Sequence, residues 1–292
     1  MNGLLIIDKP EGMTSAEVVR VVKRRWRCKT GHLGTLDPFA TGVLPLCVGE
    51  GTKIAQFLNT ADKEYVGVIR LGSETDTGDP TGTITATSAV PELTEDVLAR
   101  TAARLAGDML QVPPMFSAIK RQGVPLYELA RQGLTVEREP RPIRIDALQL
   151  ADDGNGRVKF SVVCSKGTYI RVLAQQVAAS LGAVGHLEIL RRTRFGPFGV
   201  EKAVTLSELE RGFVPLIGLR EALPHLREIM IDGATARRTR HGQAPALAGL
   251  TPGASDEAAK LIAPDGNLAA VVVVDRGGRW RFARVIGAAK GD

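Results

Sequence analysis

Long apolar runs are missing from this 292-residue chain. The stretch Leu4–Ile7 near the amino terminus is too short for the apolar part of a secretory signal, and no run elsewhere approaches the roughly 20 residues that cross a bilayer. The expectation is a soluble, cytoplasmic protein with no membrane contact. Cysteine is scarce too. Cys28, Cys47 and Cys164 are odd in number, far apart and in no Cys-x-x-Cys pair. That argues for a reducing compartment and against both a disulfide framework and a zinc site. No His-Glu-x-x-His occurs and the four histidines are scattered, so no metal is expected. Neither Gly-x-Gly-x-x-Gly nor Gly-x-x-x-x-Gly-Lys-Ser/Thr is present, which leaves a nucleotide cofactor without support. Ser117-Ala-Ile-Lys120 fits the Ser-x-x-Lys of penicillin-recognising enzymes, but the accompanying Ser-Asp-Asn is absent. Four-residue patterns of this kind recur by chance.

What is present is positive charge. Lys and Arg number 38 against 32 Asp and Glu, a formal charge of +6 with a pI near 9.4. A basic surface suits a polyanionic partner such as nucleic acid, although charge by itself does not demand one. The length allows one large domain or two.

Along the chain, Leu4–Ile7 suggests a buried strand ended by the turn Asp8–Gly12. Thr14 with Glu17 forms a capping box before an amphipathic, strongly basic helix bearing Val18, Val22 and Trp26 on one side. Tyr65–Leu71 alternates like a strand and leads into a polar loop, SETDTGDPTG. Thr94 starts a second helix that stops at Gly107. Residues 107–145 combine Pro113, Pro114 and Pro125 with Lys120, Arg121, Arg131, Arg138, Arg141 and Arg144, and suggest an inserted, mobile basic arm. Arg157–Cys164 is a strand, followed by a helix with its apolar stripe at Ile170, Leu173, Ala174, Val177, Ala178 and Leu181. Residues 219–226 suggest a linker to a small β-rich module.

The segment GHLGTLDPFATGVLP, Gly31–Pro45, holds three glycines, two prolines, a histidine and one carboxylate. It is too rich in breakers for a helix or a regular strand and too apolar for a solvated loop. A structured, part-buried loop presenting Asp37 fits best, and a buried acid needs a physical reason. An Asp before Pro38 also makes a good turn cap, and a histidine at 32 is equally suited to satisfying loop backbone groups. Arg171 adds a second hint. With Thr168 as N-cap, Arg171 falls in the first helical turn, where a cation opposes the helix dipole by roughly 0.3–1 kcal/mol. Such an arginine is more comfortable beside a carboxylate, but local rules do not say which one.

The runs LLIIDKPEGMTS, KTGHLGTLDPFATGVLP, GEGTK, KEYVGVIRLG, KGTYIRVLA and LRRTRFGPF, in this order, closely resemble the TruB-type tRNA pseudouridine synthases over residues 1 to about 205. VPPMFSAIKRQGVPLYELARQG is similar to their RNA-gripping thumb, and the tail more weakly resembles the PUA-type RNA-binding domain that follows. The resemblance implies an α+β catalytic domain, residues 1–222, built on a mixed sheet with residues 107–145 as the thumb insertion. A PUA-like domain, 223–292, would follow, with residues 227–241 facing RNA. It implies isomerisation of uridine 55 in the tRNA T arm to pseudouridine, with no cofactor, no guide RNA and a monomeric enzyme. Asp37 would be the nucleophile and Arg171 its ion-pair partner, keeping the carboxylate ionised. Tyr65 would stack on the flipped base and accept a proton. A phenol of pKa about 10 is a poor base unaided. His32 would fill the vacated space or support the flipped loop, Tyr169 and Leu190 would line the pocket, and Lys53 would contact phosphate. Lys9 and Pro10 would form a turn packed on the Asp37 loop. Two other functions compete: a tRNA-folding or RNA-binding protein without chemistry, and a guide-dependent synthase working inside a ribonucleoprotein.

Overall fold

The computed structural model describes residues 1–59, 61–212, 215–251 and 253–287. The chain opens with β1 (Gly3–Lys9), α1 (Ser15–Trp26), β2 (Thr30–His32), β3 (Thr41–Val48), α2 (Gly51–Leu58) and β4 (Lys63–Leu71). A small hairpin follows, β5 (Ser73–Thr75) with β6 (Ile84–Thr87), then α3 (Glu95–Leu105) and β7 (Gly107–Gln111). The arm carries β8 (Lys120–Arg121), β9 (Val124–Pro125) and α4 (Leu126–Arg131). Next come β10 (Arg141–Gly154), β11 (Arg157–Cys164), α5 (Ile170–Ser180), β12 (Gly185–Phe195), β13 (Phe198–Gly199) and α6 (Leu206–Arg211).

Among the described residues these strands make one nine-stranded mixed sheet, β1-β3-β12-β4-β11-β10-β7, with β2 added to β3 and β13 to β12. Strand β1 is buried on both faces, and its side chains alternate between two cores. Leu5 and Ile7 join α1, α3, α5 and α6 on one side, while Leu4 and Ile6 join α2 on the other. The Thr14–Glu17 capping box is present, and Val18 and Val22 of α1 are buried.

The tail forms a second, four-stranded sheet from β14 (Arg227–Met230), β15 (Ala258–Ile262), β16 (Leu268–Val274) and β17 (Trp280–Val285), with α7 (Gly233–Arg240) against it. The final residues of this expected module, 288–292, lie outside the described residues. Residues 219–226 are not a free linker. Ala222 and Leu223 are fully buried in a core that runs from Leu4 and Ile54 of the first domain to Ile262 and Val271 of the second. The buried Lys260 ammonium donates to the carbonyls of Arg220 and Leu223, 2.9 Å each.

Three local expectations change. The two ends of Gly31–Pro45 are strands, β2 and β3, because tertiary pairing overrides the breakers. The polar segment after β4 likewise begins as β5 rather than as a turn. The arm is shorter than residues 107–145: Gly107–Gln111 and Arg141–Ile145 pair with each other as the edge of the main sheet, leaving the excursion between them.

One glycine decides whether the central sheet can form. Strands β3 and β12 run parallel, pairing Gly42 with Arg192. Gly42 has φ +100°, and a Cβ there would lie 2.2 Å from the Arg192 carbonyl oxygen. Gly42→Ala is therefore expected to destabilise the protein by about 1–3 kcal/mol from backbone strain alone, with the clash added. The check is a thermal melt, and an unchanged Tm would refute the close approach.

Candidate active site

The Asp37 loop, between β2 and β3, is fastened from several directions. Its apolar residues Leu33, Leu36 and Ala40 are buried. Ser15, the first residue of α1, holds Leu36 from both sides: the Leu36 N–H donates to Ser15 Oγ at 2.9 Å, and that hydroxyl donates to the Leu36 carbonyl at 3.1 Å. On the far side of Asp37, the carbonyl of Pro38 accepts from the Gly12 N–H at 2.8 Å and from Lys9 Nζ at 3.1 Å. Lys9 is fully buried, and its ammonium also donates to the carbonyls of Pro10 and Met13. Burial lowers its pKa to about 8, against the pull of Asp37, Glu11 and Glu17. The turn after β1 thus packs on the loop, as expected of Lys9 and Pro10.

Arg171 brings the acid its partner. Helix α5 begins at Ile170 with Tyr169 as the N-cap, not Thr168, whose hydroxyl instead donates to the Ser165 carbonyl. Arg171 still sits in the first turn, and its side chain is 6 % exposed. Its Nε lies 2.9 Å from Asp37 Oδ2. One Nη donates to the Thr77 carbonyl at 2.7 Å and lies 3.8 Å from Asp79 Oδ2; the other donates to the Phe116 carbonyl at 2.7 Å. Asp79 is itself buried in the loop between β5 and β6, accepting from Thr77 Oγ1, the Thr81 N–H and Thr81 Oγ1. One guanidinium therefore joins the acid loop, the hairpin loop and the base of the arm.

The Asp37 side chain keeps 35 % of its surface open, enough for a reagent to reach it. Its pKa is raised: burial is the largest cause and Asp79 adds to it, while Arg171 pulls it back. Burial thus works against the ionised form that the expected pairing with Arg171 would keep. Arg171 remains the largest force favouring the carboxylate.

The other expected site residues are Tyr65, Tyr169, Leu190 and His32. Tyr65 on β4 and Leu190 on β12 are buried in the helix-side core. The Asp37 charge bears on the phenols of both Tyr65 and Tyr169. Burial is the first cause that raises each phenol's pKa, so both stay protonated at neutral pH. Tyr169 is held by Gln111, whose side-chain oxygen accepts from the Tyr169 N–H at 2.8 Å and whose amide donates back to the Tyr169 carbonyl at 3.3 Å. His32 is half-buried. Its Nδ1 has no hydrogen-bond partner among the described residues, and burial, then Arg192, lowers its pKa.

Lys53 stands apart from this group. Its ammonium pairs with Glu50 at 2.6 Å and donates to the Val285 carbonyl at 3.0 Å, tying α2 to the second domain. Sequence reasoning missed Ser15, Asp79, Gln111 and Arg192. Asp79 stood with two other acids in a polar segment, and Ser15 and Arg192 stood in the runs LLIIDKPEGMTS and LRRTRFGPF, none with an assigned role.

The sequence model for the N-terminal domain of TruB family pseudouridylate synthases matches residues 20–170. A tRNA pseudouridine synthase B from Hydrogenovibrio crunogenus is 45% identical over 244 residues, which is 83% of this chain and 80% of that protein. Another, from Aromatoleum aromaticum, is 48% identical over 242 residues, 81% and 78% of the two chains. A solved structure described as a Cbf5-Nop10-Gar1 complex superposes with TM-score 0.70 at 27% identity, covering 94% of this chain and 78% of that one. The chain belongs to the TruB family of pseudouridylate synthases, enzymes of the isomerase class.

Proposed function

We propose that this protein converts the uridine at position 55 in the T arm of tRNA to pseudouridine, with Asp37 as nucleophile and no metal or nucleotide cofactor. The observation that carries the mechanism is the half-open Asp37 carboxylate 2.9 Å from the buried Arg171 guanidinium. The names of the relatives above support tRNA as the substrate. A uracil stacked in an RNA loop offers no access, so the nucleotide is flipped into the cleft. Tyr65 then stacks on the base, Tyr169 and Leu190 line the pocket, and His32 supports the displaced loop. In the isomerisation the bond from ribose C1′ to uracil N1 breaks, the base turns and C1′ bonds to C5. The C5 proton leaves and N1 gains one, so nothing is oxidised or hydrolysed.

The charge distribution suits the substrate. Arg20, Lys23, Arg24, Arg25 and Arg27 of the first helical region are exposed, as are Lys120, Arg121 and Arg131 of the arm and Arg237, Arg238 and Arg240 of α7. Such cations supply sequence-independent affinity for phosphates. The arm belongs to the chain itself, which favours a stand-alone, monomeric enzyme over a guide-dependent one. Purified protein given unmodified tRNA transcript labelled with tritium at uracil C5 is expected to release tritium, with the product mapping to the T arm. Binding without release would support an RNA-binding role only, and release that required an added guide would overturn the stand-alone reading.

A further inference from the structure

The segment LRRTRF in β12 places three arginines within four positions, and they do not share a fate. Arg191 and Arg194 point away from the core and pair with Asp8 and Glu64, at 2.7 and 2.8 Å. Arg192 points inward and is 0 % exposed. Strand alternation would send Arg192 and Arg194 to the same face, but a register shift between them turns Arg194 outward.

Removing a guanidinium from water costs several kcal/mol unless its donors are met and its charge is answered. The donors of Arg192 are met by backbone. Its Nε donates to the Val43 carbonyl at 2.7 Å and an Nη to the Gly34 carbonyl at 2.8 Å, while the group lies over the Phe195 ring, 5.4 Å from its centre. Its charge is not answered: among the described residues no carboxylate forms an ion pair with it, in contrast to its two neighbours.

The positions of these contacts suggest what the charge is for. Gly34 lies three residues before Asp37, and Val43 is the third residue of β3, the strand that leaves the loop, so one side chain grips both ends of the loop that presents the acid. The fit leaves no slack at Gly34, where a Cβ would lie 2.9 Å from the Phe195 ring and 3.3 Å from an Arg192 Nη. Across the sheet on the other side, Arg192 is the register partner of Tyr65.

We infer that Arg192 is a positioning residue for the isomerisation, fixing Tyr65 relative to the Asp37 loop through one buried, carboxylate-free guanidinium. The inference rests on Asp37 being the nucleophile and Tyr65 lying against the base. Its charge also favours the phenolate of Tyr65 against the effect of burial, which gives the hydroxyl a direct electrostatic neighbour.

The test is a double-mutant cycle of Arg192→Lys with Tyr65→Phe, read by single-turnover isomerisation of tRNA, RNA affinity and thermal melting. Lysine keeps the charge but loses the fork that spans Val43 and Gly34. Arg192→Lys is expected to slow the single-turnover rate on the order of 10²-fold, as for a displaced reacting group, with RNA affinity within about threefold and a cooperative melt. In the Tyr65→Phe background the same replacement is expected to slow it at least about tenfold less, since the groups act together. A full rate in Arg192→Lys, or the same fold-loss in both backgrounds, overturns the inference. Should the lysine variant not fold, Phe195→Leu, which loosens the seat of the guanidinium while leaving it in place, must show the same dependence on the Tyr65 hydroxyl or the inference falls. Asp37→Asn run in parallel separates the two levels, because an active Asp37→Asn sinks the site assignment itself whatever Arg192 does.

Discussion

Asp37→Asn is expected to lower the isomerisation rate by at least about 10⁴-fold, a loss typical of removing a nucleophile, while tRNA affinity changes only a few-fold. The replacement is nearly isosteric, and the features that shape the loop do not involve the charge. Ser15 still holds Leu36, Gly12 and Lys9 still hold Pro38, and the Ala40 N–H still donates to the Asp37 backbone carbonyl. An amide oxygen can still face Arg171 Nε. What disappears is the oxygen proposed as the nucleophile, which neither Tyr65 nor Tyr169 replaces, because burial raises both phenols. Pseudouridine formed by Asp37→Asn at an appreciable rate would end the assignment.

Arg171→Met is expected to be nearly as damaging, and its effect depends on pH. The substitution removes the cation from between Asp37 and Asp79 and strands the carbonyls of Thr77 and Phe116. Breaking a buried pair by removing one partner costs about 3 kcal/mol or more, visible as a lower Tm. The folded Asp37 already holds its proton more tightly than the ordinary value of 3.8. Its ionisation therefore opposes folding as pH rises through the raised value, and Arg171 is the main group limiting that penalty. The stability gap between wild type and Arg171→Met should widen from pH 3 towards pH 7. For the same reason the acid limb of the rate profile is expected above 3.8 in the wild type and further up in the variant. An unmoved limb would show that another group sets the ionisation of Asp37.

The same logic separates effects on chemistry from effects on folding across the site. Ser15, Lys9 and Gln111 act on backbone groups, so replacing them is expected to loosen geometry more than to change charge. Arg171 acts on both. Arg192 donates to the backbone of Val43 and Gly34 and carries a charge that no carboxylate answers among the described residues, beside Tyr65 and His32, which is why lysine is the informative replacement there.

Local chemistry determined much of this protein directly from sequence. The Thr14–Glu17 box, the Thr94 cap, the alternation of β4 and β11 and the stripe of α5 are each satisfied within a few residues, so the chain needs no distant partner to declare them. The Asp37 loop was legible as a part-buried acid because its apolar content and its breakers conflict unless a structure holds both. Arg171 was legible as a cation in want of a carboxylate, by its place in the first turn of a helix. The tertiary structure alone decided the rest. Gly107–Gln111 became a sheet edge by pairing with Arg141–Ile145, across the whole arm. Ala222 and Leu223 became core instead of linker because two sheets share one apolar interior. Which of three arginines in LRRTRF is buried depends on a register shift against β4, and which acid Arg171 meets depends on how a helix and a loop more than a hundred residues apart are packed. Periodicity and caps report interactions between near neighbours, whereas register and burial are set by the partners a residue meets across the fold, and no local rule contains those.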